Sequence, residues 1–239
     1  MNTLEYLFDL LASGEFSNIA IGQSVTNSIT AENYPKIVNN INLGLIELYK
    51  RFKLRKKSIN LHQVTGVPEY YLRSEYVTSS NYINTGGYLT EPTDEDFTDD
   101  IIQVIEAYRE DGSVLPINDK NYPTGLFTTA YDIVKVQPFT PLETLSLVYL
   151  ASYPKIEIDD DFNPASVILT FPTWLYEPLL AYVAARVFQG KSSKAAEGER
   201  SLYTTFMYQY ENACKRIELQ GLASVDEEVT TVFNERGFV

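Results

Sequence analysis

The strongest constraint on the fold of this 239-residue chain is an apolar stripe between residues 38 and 52. The members of the stripe are Val38, Ile41, Leu45, Leu48 and Phe52. They alternate steps of three and four, so they fall on one face of an α-helix. Pro35 stands near the start, where a missing N–H costs little, and a basic cluster follows at 50–57. The pattern predicts a helix over residues 35–54.

Helical periodicity also occurs at both ends of the chain. Apolar residues at Leu4, Leu7, Phe8 and Leu11 predict a short helix over 2–12. Near the C-terminus, Pro172-Thr173 is a reasonable helix entry, and a helical face extends from there to Gly190. A second, longer helix is predicted over 193–220, with Gly221 as its C-cap. Its apolar stripe comprises Ala195, Ala196, Leu202, Tyr203, Phe206, Tyr210, Ala213, Cys214 and Ile217.

Between these helices the sequence changes to short runs rich in Val, Ile, Tyr and Thr. Such runs, separated by Gly and Pro turn signals, are typical of strands. Asp111-Gly112 lies between two of them and predicts a hairpin turn, because Gly supplies the positive φ that such turns require. The middle of the chain is therefore predicted to be rich in β-structure.

Together these patterns predict an α+β fold, in which an antiparallel helical body with long amphipathic helices carries an inserted β-rich unit. The predicted organisation has four parts. They are N-terminal helices over 1–57, a β-rich insert over 58–171, C-terminal helices over 172–221 and a docking tail over 222–239. The tail has no clear period, but it ends in apolar residues, a pattern often found in segments that dock on another chain.

The charge balance excludes one broad class of function. The chain has 19 Lys and Arg against 32 Asp and Glu, a formal net charge of −13. Phosphate contacts need a basic footprint, so a general nucleic-acid binder is not expected. An acidic surface would nevertheless suit a protein past which DNA slides without adhering.

The residues for metal or nucleophilic chemistry are scarce. One Cys and one His cannot supply a zinc site of the usual type, and the sequence contains no Gly-rich phosphate loop. His62 lies in a predicted strand without a nucleophile motif, so a structural histidine is the favoured interpretation. Cys214, on the predicted C-terminal stripe, is expected to be a small buried hydrophobe. We therefore expect no enzyme activity, no cofactor and no metal.

Two charged regions leave alternatives open. The acidic runs at 94–100 and 157–161 are expected to be solvated surface, although paired carboxylates could serve a glycan hydrolase or bind calcium. The basic cluster at 50–57 could contact phosphate or an acidic partner, but compensation of a helix C-terminus is the favoured interpretation.

The sequence also indicates where the protein is found. The most apolar stretch, 165–188, is interrupted by Pro172, Glu177 and Pro178, so it is a poor membrane span. The N-terminal 22 residues carry Glu5 and Asp9 and lack a basic lead, so a helix is predicted there and not a secretion signal. We expect a soluble protein made in a cytoplasm.

The segments 34–52 and 171–211, together with the order of elements, resemble the head-to-tail adaptor proteins of short-tailed bacteriophages, the group that includes tail tubular protein A. The resemblance implies a structural virion protein, made in the bacterial host cytoplasm and located at the head-tail junction. It implies a ring, commonly a dodecamer, between the portal and the tail nozzle. The ring would surround a channel through which genomic DNA passes without sequence-specific binding.

The resemblance also suggests where the contacts lie. The C-terminal segment of the family tends to reach the portal, which makes Val232, Phe233, Phe238 and Val239 the candidate portal contacts. The candidate ring-interface residues are Tyr203, Phe206 and Tyr210. The alternatives are a head-completion or neck protein of another phage type and, more weakly, a carboxylate-dependent cell-wall glycan hydrolase.

Overall fold

The structure is a computed structural model that describes residues 3–16, 29–79, 83–92, 96–137, 143–189 and 197–222, with the backbone alone for 197–201. Four α-helices occur in the described residues. They are α1 (Leu4–Ser13), α2 (Tyr34–Phe52), α3 (Tyr176–Gln189) and α4 (Glu197–Leu219). Seven strands occur in the described residues between α2 and α3. They are β1 (Lys56–His62), β2 (Glu69–Tyr71), β3 (Leu89–Thr90), β4 (Ile101–Tyr108), β5 (Leu126–Ala130), β6 (Ile133–Val136) and β7 (Thr144–Ala151).

The predicted fold class, an antiparallel helical body with long helices and an insert, is wrong. The described residues have a mixed architecture, in which seven strands form two antiparallel sheets and the four helices have 10, 19, 14 and 23 residues. The reason is that periodicity identifies an amphipathic helix but does not reveal how much of the core the strands build among themselves. Here the strands have a hydrophobic core of their own.

The chain divides into two compact units. The central unit comprises residues 53–154, and the terminal unit comprises residues 1–52 and 155–239. Residues 155–171, which were predicted to belong to the β-rich insert, thus belong to the terminal unit. The terminal unit is therefore formed by two segments that are separated in sequence by the whole central unit.

The central unit contains a four-stranded sheet of order β3-β1-β7-β4 and a three-stranded sheet of order β2-β6-β5. In the larger sheet, β1 and β7 pair along their full length, with Ile59 opposite Leu147 and Leu61 opposite Leu145. All four of these side chains are buried. The predicted turn after β4 is confirmed, because Gly112 has a φ of +81° and the chain reverses there.

A cluster of tyrosines organises the polar part of this core. Tyr88 stacks on Tyr76 with ring centroids 4.9 Å apart and meets Tyr70 edge-on at 5.1 Å. Its hydroxyl accepts a hydrogen bond from the Tyr71 N–H (2.9 Å) and donates one to the Tyr71 carbonyl (3.0 Å). Burial raises the pKa of Tyr88 to about 12, so this hydroxyl keeps its proton. A single side chain thereby satisfies both backbone groups of Tyr71.

The terminal unit forms around α3, whose side chains are largely buried. The predicted apolar stripe of α2 is confirmed, and Gly44 lets α2 approach α3 closely. A Cβ atom at Gly44 would lie 2.7 Å from Leu179 Cδ1 and 3.0 Å from Tyr182 Cδ1. Asn42 fixes the segment after the central unit onto α2, because its buried amide hydrogen-bonds the Ile156 N–H and carbonyl, both at 2.9 Å.

Candidate interaction surfaces

His62 is held in a structural role. Its Nδ1 lies 3.1 Å from Thr144 Oγ1 and its Nε2 lies 2.8 Å from Thr90 Oγ1, so both ring nitrogens are hydrogen-bonded to neighbouring strands. Burial lowers its pKa below the usual value, a shift that the charge of Glu110 opposes. The two threonine hydroxyls thus hold the imidazole between β7 and β3.

The first acidic run is largely used inside the central unit. Asp94 and Glu95 lie outside the described residues. Asp99 accepts hydrogen bonds from the backbone N–H (2.6 Å) and hydroxyl (2.7 Å) of Ser74. Asp100 is nearly buried, and it accepts hydrogen bonds from Arg55 at 3.3 Å and from the Tyr149 hydroxyl at 3.2 Å. Carboxylates committed in this way do not form an acid–base pair facing a substrate cleft.

The second acidic run has a different environment. Glu157, Asp159, Asp160 and Asp161 are all exposed, in a segment without regular secondary structure. The Phe162 N–H donates a hydrogen bond to the Asp159 carbonyl (3.3 Å), so the chain turns there. This run is solvated surface, as predicted.

The basic cluster at 50–57 is mostly neutralised within the chain. Arg51 donates hydrogen bonds to Glu218 at 2.8 Å and to Glu211 at 3.0 Å, which ties the end of α2 to α4. Lys56 lies 3.5 Å from Glu106, and Lys57 lies 3.5 Å from Asp100. Cations that are already paired with carboxylates are poor phosphate ligands, so these contacts favour the structural interpretation.

The aromatic stripe of α4 packs mainly inward. Phe206 stacks on Phe188 at 5.7 Å, and Tyr210 meets Tyr182 at 5.3 Å. Both α4 side chains are buried, whereas Tyr203 is half-buried. Two of the three residues predicted at a ring interface thus pack against α3 of the same chain.

Cys214 lies on the same inward face and is fully buried. Burial raises the pKa of its thiol to about 11, an effect that the nearby Arg51 charge opposes. The thiol is therefore protonated at neutral pH and is a weak nucleophile. It packs as a small apolar side chain, as predicted.

The exposed apolar side chains of the helices were not identified from the sequence. Leu43 and Ile46 are 42% and 43% exposed on the outer face of α2, and on α4 Tyr208 is 68% and Leu219 is 87% exposed. These residues stand between the members of the buried stripes. In the sequence, such positions can be recognised because each carries a large apolar residue where the helical period predicts a polar one.

A groove lies where the start of α3 meets the end of α4. It has a volume of about 380 Å³, and its walls include Trp174, Tyr176, Ile217 and Leu222. Glu177 and Arg216 form an ion pair beside it. The groove is adjacent to the start of the predicted docking tail, but Val232, Phe233, Phe238 and Val239 lie outside the described residues.

Other kinds of site have little support in the described part of the chain. No group of three or more His, Cys, Asp and Glu side chains converges there as metal ligands. None of the described helices combines the length and the apolarity needed to cross a membrane.

No protein-family model and no curated protein matches this chain.

Proposed function

We propose that this chain is a structural virion protein, a head-to-tail adaptor that forms a ring between the portal and the tail nozzle of a short-tailed phage. The proposal rests on the resemblance of residues 34–52 and 171–211 to that family. The observation that best supports it is the exposure of large apolar side chains on two different helices, α2 and α4.

Two distinct apolar surfaces suit a ring. In a cyclic assembly each subunit contacts its neighbours through two different patches, whereas a two-fold dimer uses one patch twice. Leu43 and Ile46 on α2 provide one candidate patch, and Tyr208 and Leu219 on α4 provide another. The groove that ends at Leu222 supplies a third surface, from which the chain continues into the predicted portal-binding tail.

The charge and the chemistry of the chain agree with a structural role. A net charge of −13 disfavours adhesion of DNA to the walls of a channel. His62, Asp99 and Asp100 bond to neighbouring groups in the central unit, and Cys214 is buried. We therefore place the function in the interfaces and assign no residue a catalytic role.

Native mass spectrometry of the purified chain, alone and mixed with the portal protein encoded by the same genome, tests this function. We expect a closed ring, commonly a dodecamer, that forms alone or on the portal. A chain that remains monomeric at high concentration with its portal present would contradict the proposal. Binding to a portal without the tail nozzle joining the complex would favour a head-completion or neck protein instead.

A further inference from the structure

The central unit carries a cleft that no element of the proposed function uses. It has a volume of about 370 Å³ and is lined by Lys120, Pro123, Phe127, Lys135 and Gln137. Phe127 on β5 lies directly opposite Lys135 on β6, so both side chains emerge on the same face of the three-stranded sheet. The cleft therefore combines an apolar floor with two cations.

The two lysines differ from most basic residues of the central unit. Ion pairs of 4.0 Å or less hold five of those residues, namely Arg55, Lys56, Lys57, Arg73 and Arg109. Within the described part of the chain, neither Lys120 nor Lys135 has such a pair, although Glu69 stands opposite Lys135 in the strand register. In a chain with a net charge of −13, two unpaired cations at one cleft are a local exception that favours an acidic partner.

A segment with the complementary chemistry exists elsewhere in the same chain. Glu157, Asp159, Asp160 and Asp161 are exposed at a turn of the terminal unit, and Ile158 among them is 38% exposed. The turn thus presents several carboxylates together with one branched apolar side chain. The cleft offers the matching elements, which are two ammonium groups beside Phe127 and Pro123.

We propose that the cleft of one copy binds the turn at 157–161 of the next copy, so that this contact closes the ring. The inference rests on the proposed function, since it specifies one subunit contact of the same ring. Ile158 packs against Phe127 and Pro123, and the carboxylates of the turn pair with Lys120 and Lys135. Because the cleft and the turn are different patches of one chain, the contact is head-to-tail, and such a contact forms a ring when the rotation between neighbouring copies closes.

The test measures how the amount of ring depends on protein concentration, using native mass spectrometry and sedimentation of full-length variants. One variant carries Lys120→Glu and Lys135→Glu, and the other carries Asp159→Lys and Asp160→Lys. Each reversal replaces two attractive pairs by repulsive ones, so we expect the concentration for half-assembly to rise at least about tenfold. An equimolar mixture of the two variants should assemble near the wild-type concentration, because an alternating ring restores every pair.

The matched control is Lys53→Glu, at an exposed site away from the cleft, the turn and the exposed apolar residues of α2 and α4. It is compared with Lys135→Glu alone, which changes the net charge equally. The control should assemble like the wild type. The neutral variant Lys120→Gln with Lys135→Gln serves as the cleft test if the reversed cleft does not fold, and we expect it to weaken assembly less than reversal would.

The outcomes separate this inference from the proposed function. Rings that form at wild-type concentration in both reversed variants, or a mixture that does not recover, would overturn the inference and leave the adaptor function standing. A wild-type chain that stays monomeric with its portal would overturn both. If Asp226→Asn with Glu227→Gln and Glu228→Gln weakens assembly while the Asp159 and Asp160 reversals do not, the occupant is the C-terminal segment and the inference is wrong.

Discussion

The central and terminal units reach a buried core by different routes. The central unit is one continuous stretch, 53–154, and its strands pair with partners inside that stretch. The terminal unit needs α2 to meet α3, so two parts of the chain on either side of the central unit must come together. Closing so long a loop costs chain entropy, which the apolar contacts of the terminal unit must offset. The central unit can therefore form from contacts that are nearer in sequence, whereas the terminal unit depends on the two flanking segments meeting.

Each unit also uses one polar side chain to satisfy both backbone groups of a distant residue. In the terminal unit Asn42 pairs with Ile156, and in the central unit Tyr88 pairs with Tyr71. The hydrogen bonds of the first pairing are buried, whereas those of the second are only part-buried. Water can therefore replace the second bond more easily than the first.

The largest loss of stability is expected from substitutions that leave a cavity in either core. Leu179→Ala in α3 and Leu147→Ala in β7 each remove a fully buried side chain, so each should lower the free energy of unfolding by about 2–5 kcal/mol. Amide exchange measured peptide by peptide should show lost protection in α2, α3 and α4 for the first variant and in β1, β4 and β7 for the second. Leu43→Ala, at an exposed position, is the control. Equal loss of protection in both units for either variant would show that the two units unfold together and not independently.

A smaller loss of stability is expected when the hydrogen bonds between Asn42 and Ile156 in the terminal unit are removed. Asn42→Leu leaves the buried N–H and carbonyl of Ile156 without partners, so stability should fall by about 2–3 kcal/mol in urea titration. Asn39→Leu, on the exposed side of α2, should change it by less than about 0.5 kcal/mol. Equal stabilities of the two variants would mean that the amide does not hold the returning segment on α2.

At the central pairing, Tyr88→Phe keeps the ring stacking and removes only the hydroxyl. The free energy of unfolding should fall by about 1 kcal/mol, less than for Asn42→Leu, because the hydrogen bonds of Tyr88 to Tyr71 are only part-buried. Tyr131→Phe, at a side chain that is 67% exposed, serves as the control and should be neutral. A cost for Tyr88→Phe above that of Asn42→Leu would reverse the ranking of the two pairings.

The smallest expected effect is on how the stability of the central unit depends on pH. Because burial lowers the pKa of His62 in the folded chain, the unfolded chain binds more protons as the pH falls below the usual histidine pKa of about 6.5. The contribution of His62 to stability is therefore present above that pH and is lost as the pH falls through the folded-state pKa. Comparing urea unfolding of the wild type and His62→Gln at pH 7.5 and 5 should show a smaller pH dependence in the variant. An identical dependence would assign the pH effect to the carboxylates.

Local patterns predicted much of the secondary structure and little of the interaction chemistry. The stripe through Ile41 and Leu45 predicted the ends of α2 to within two residues, because the apolar face of a helix repeats from one turn to the next. The burial of Cys214 followed from the same kind of pattern. The cleft could not be predicted from such a pattern, since Lys120 and Lys135 become neighbours only after β5 and β6 pair. Likewise, nothing near Arg51 in sequence indicates Glu211 or Glu218 as its partners.

A few neighbouring residues are enough to specify the inward faces of the helices and the turn at Gly112, where the absence of a Cβ atom permits a positive φ. The strand order, the division into two units and the pairing of charges among the described residues become apparent only in the folded protein. Those features depend on residues far apart in the chain, and their pairing is selected by the packing of the whole core and not by any local preference.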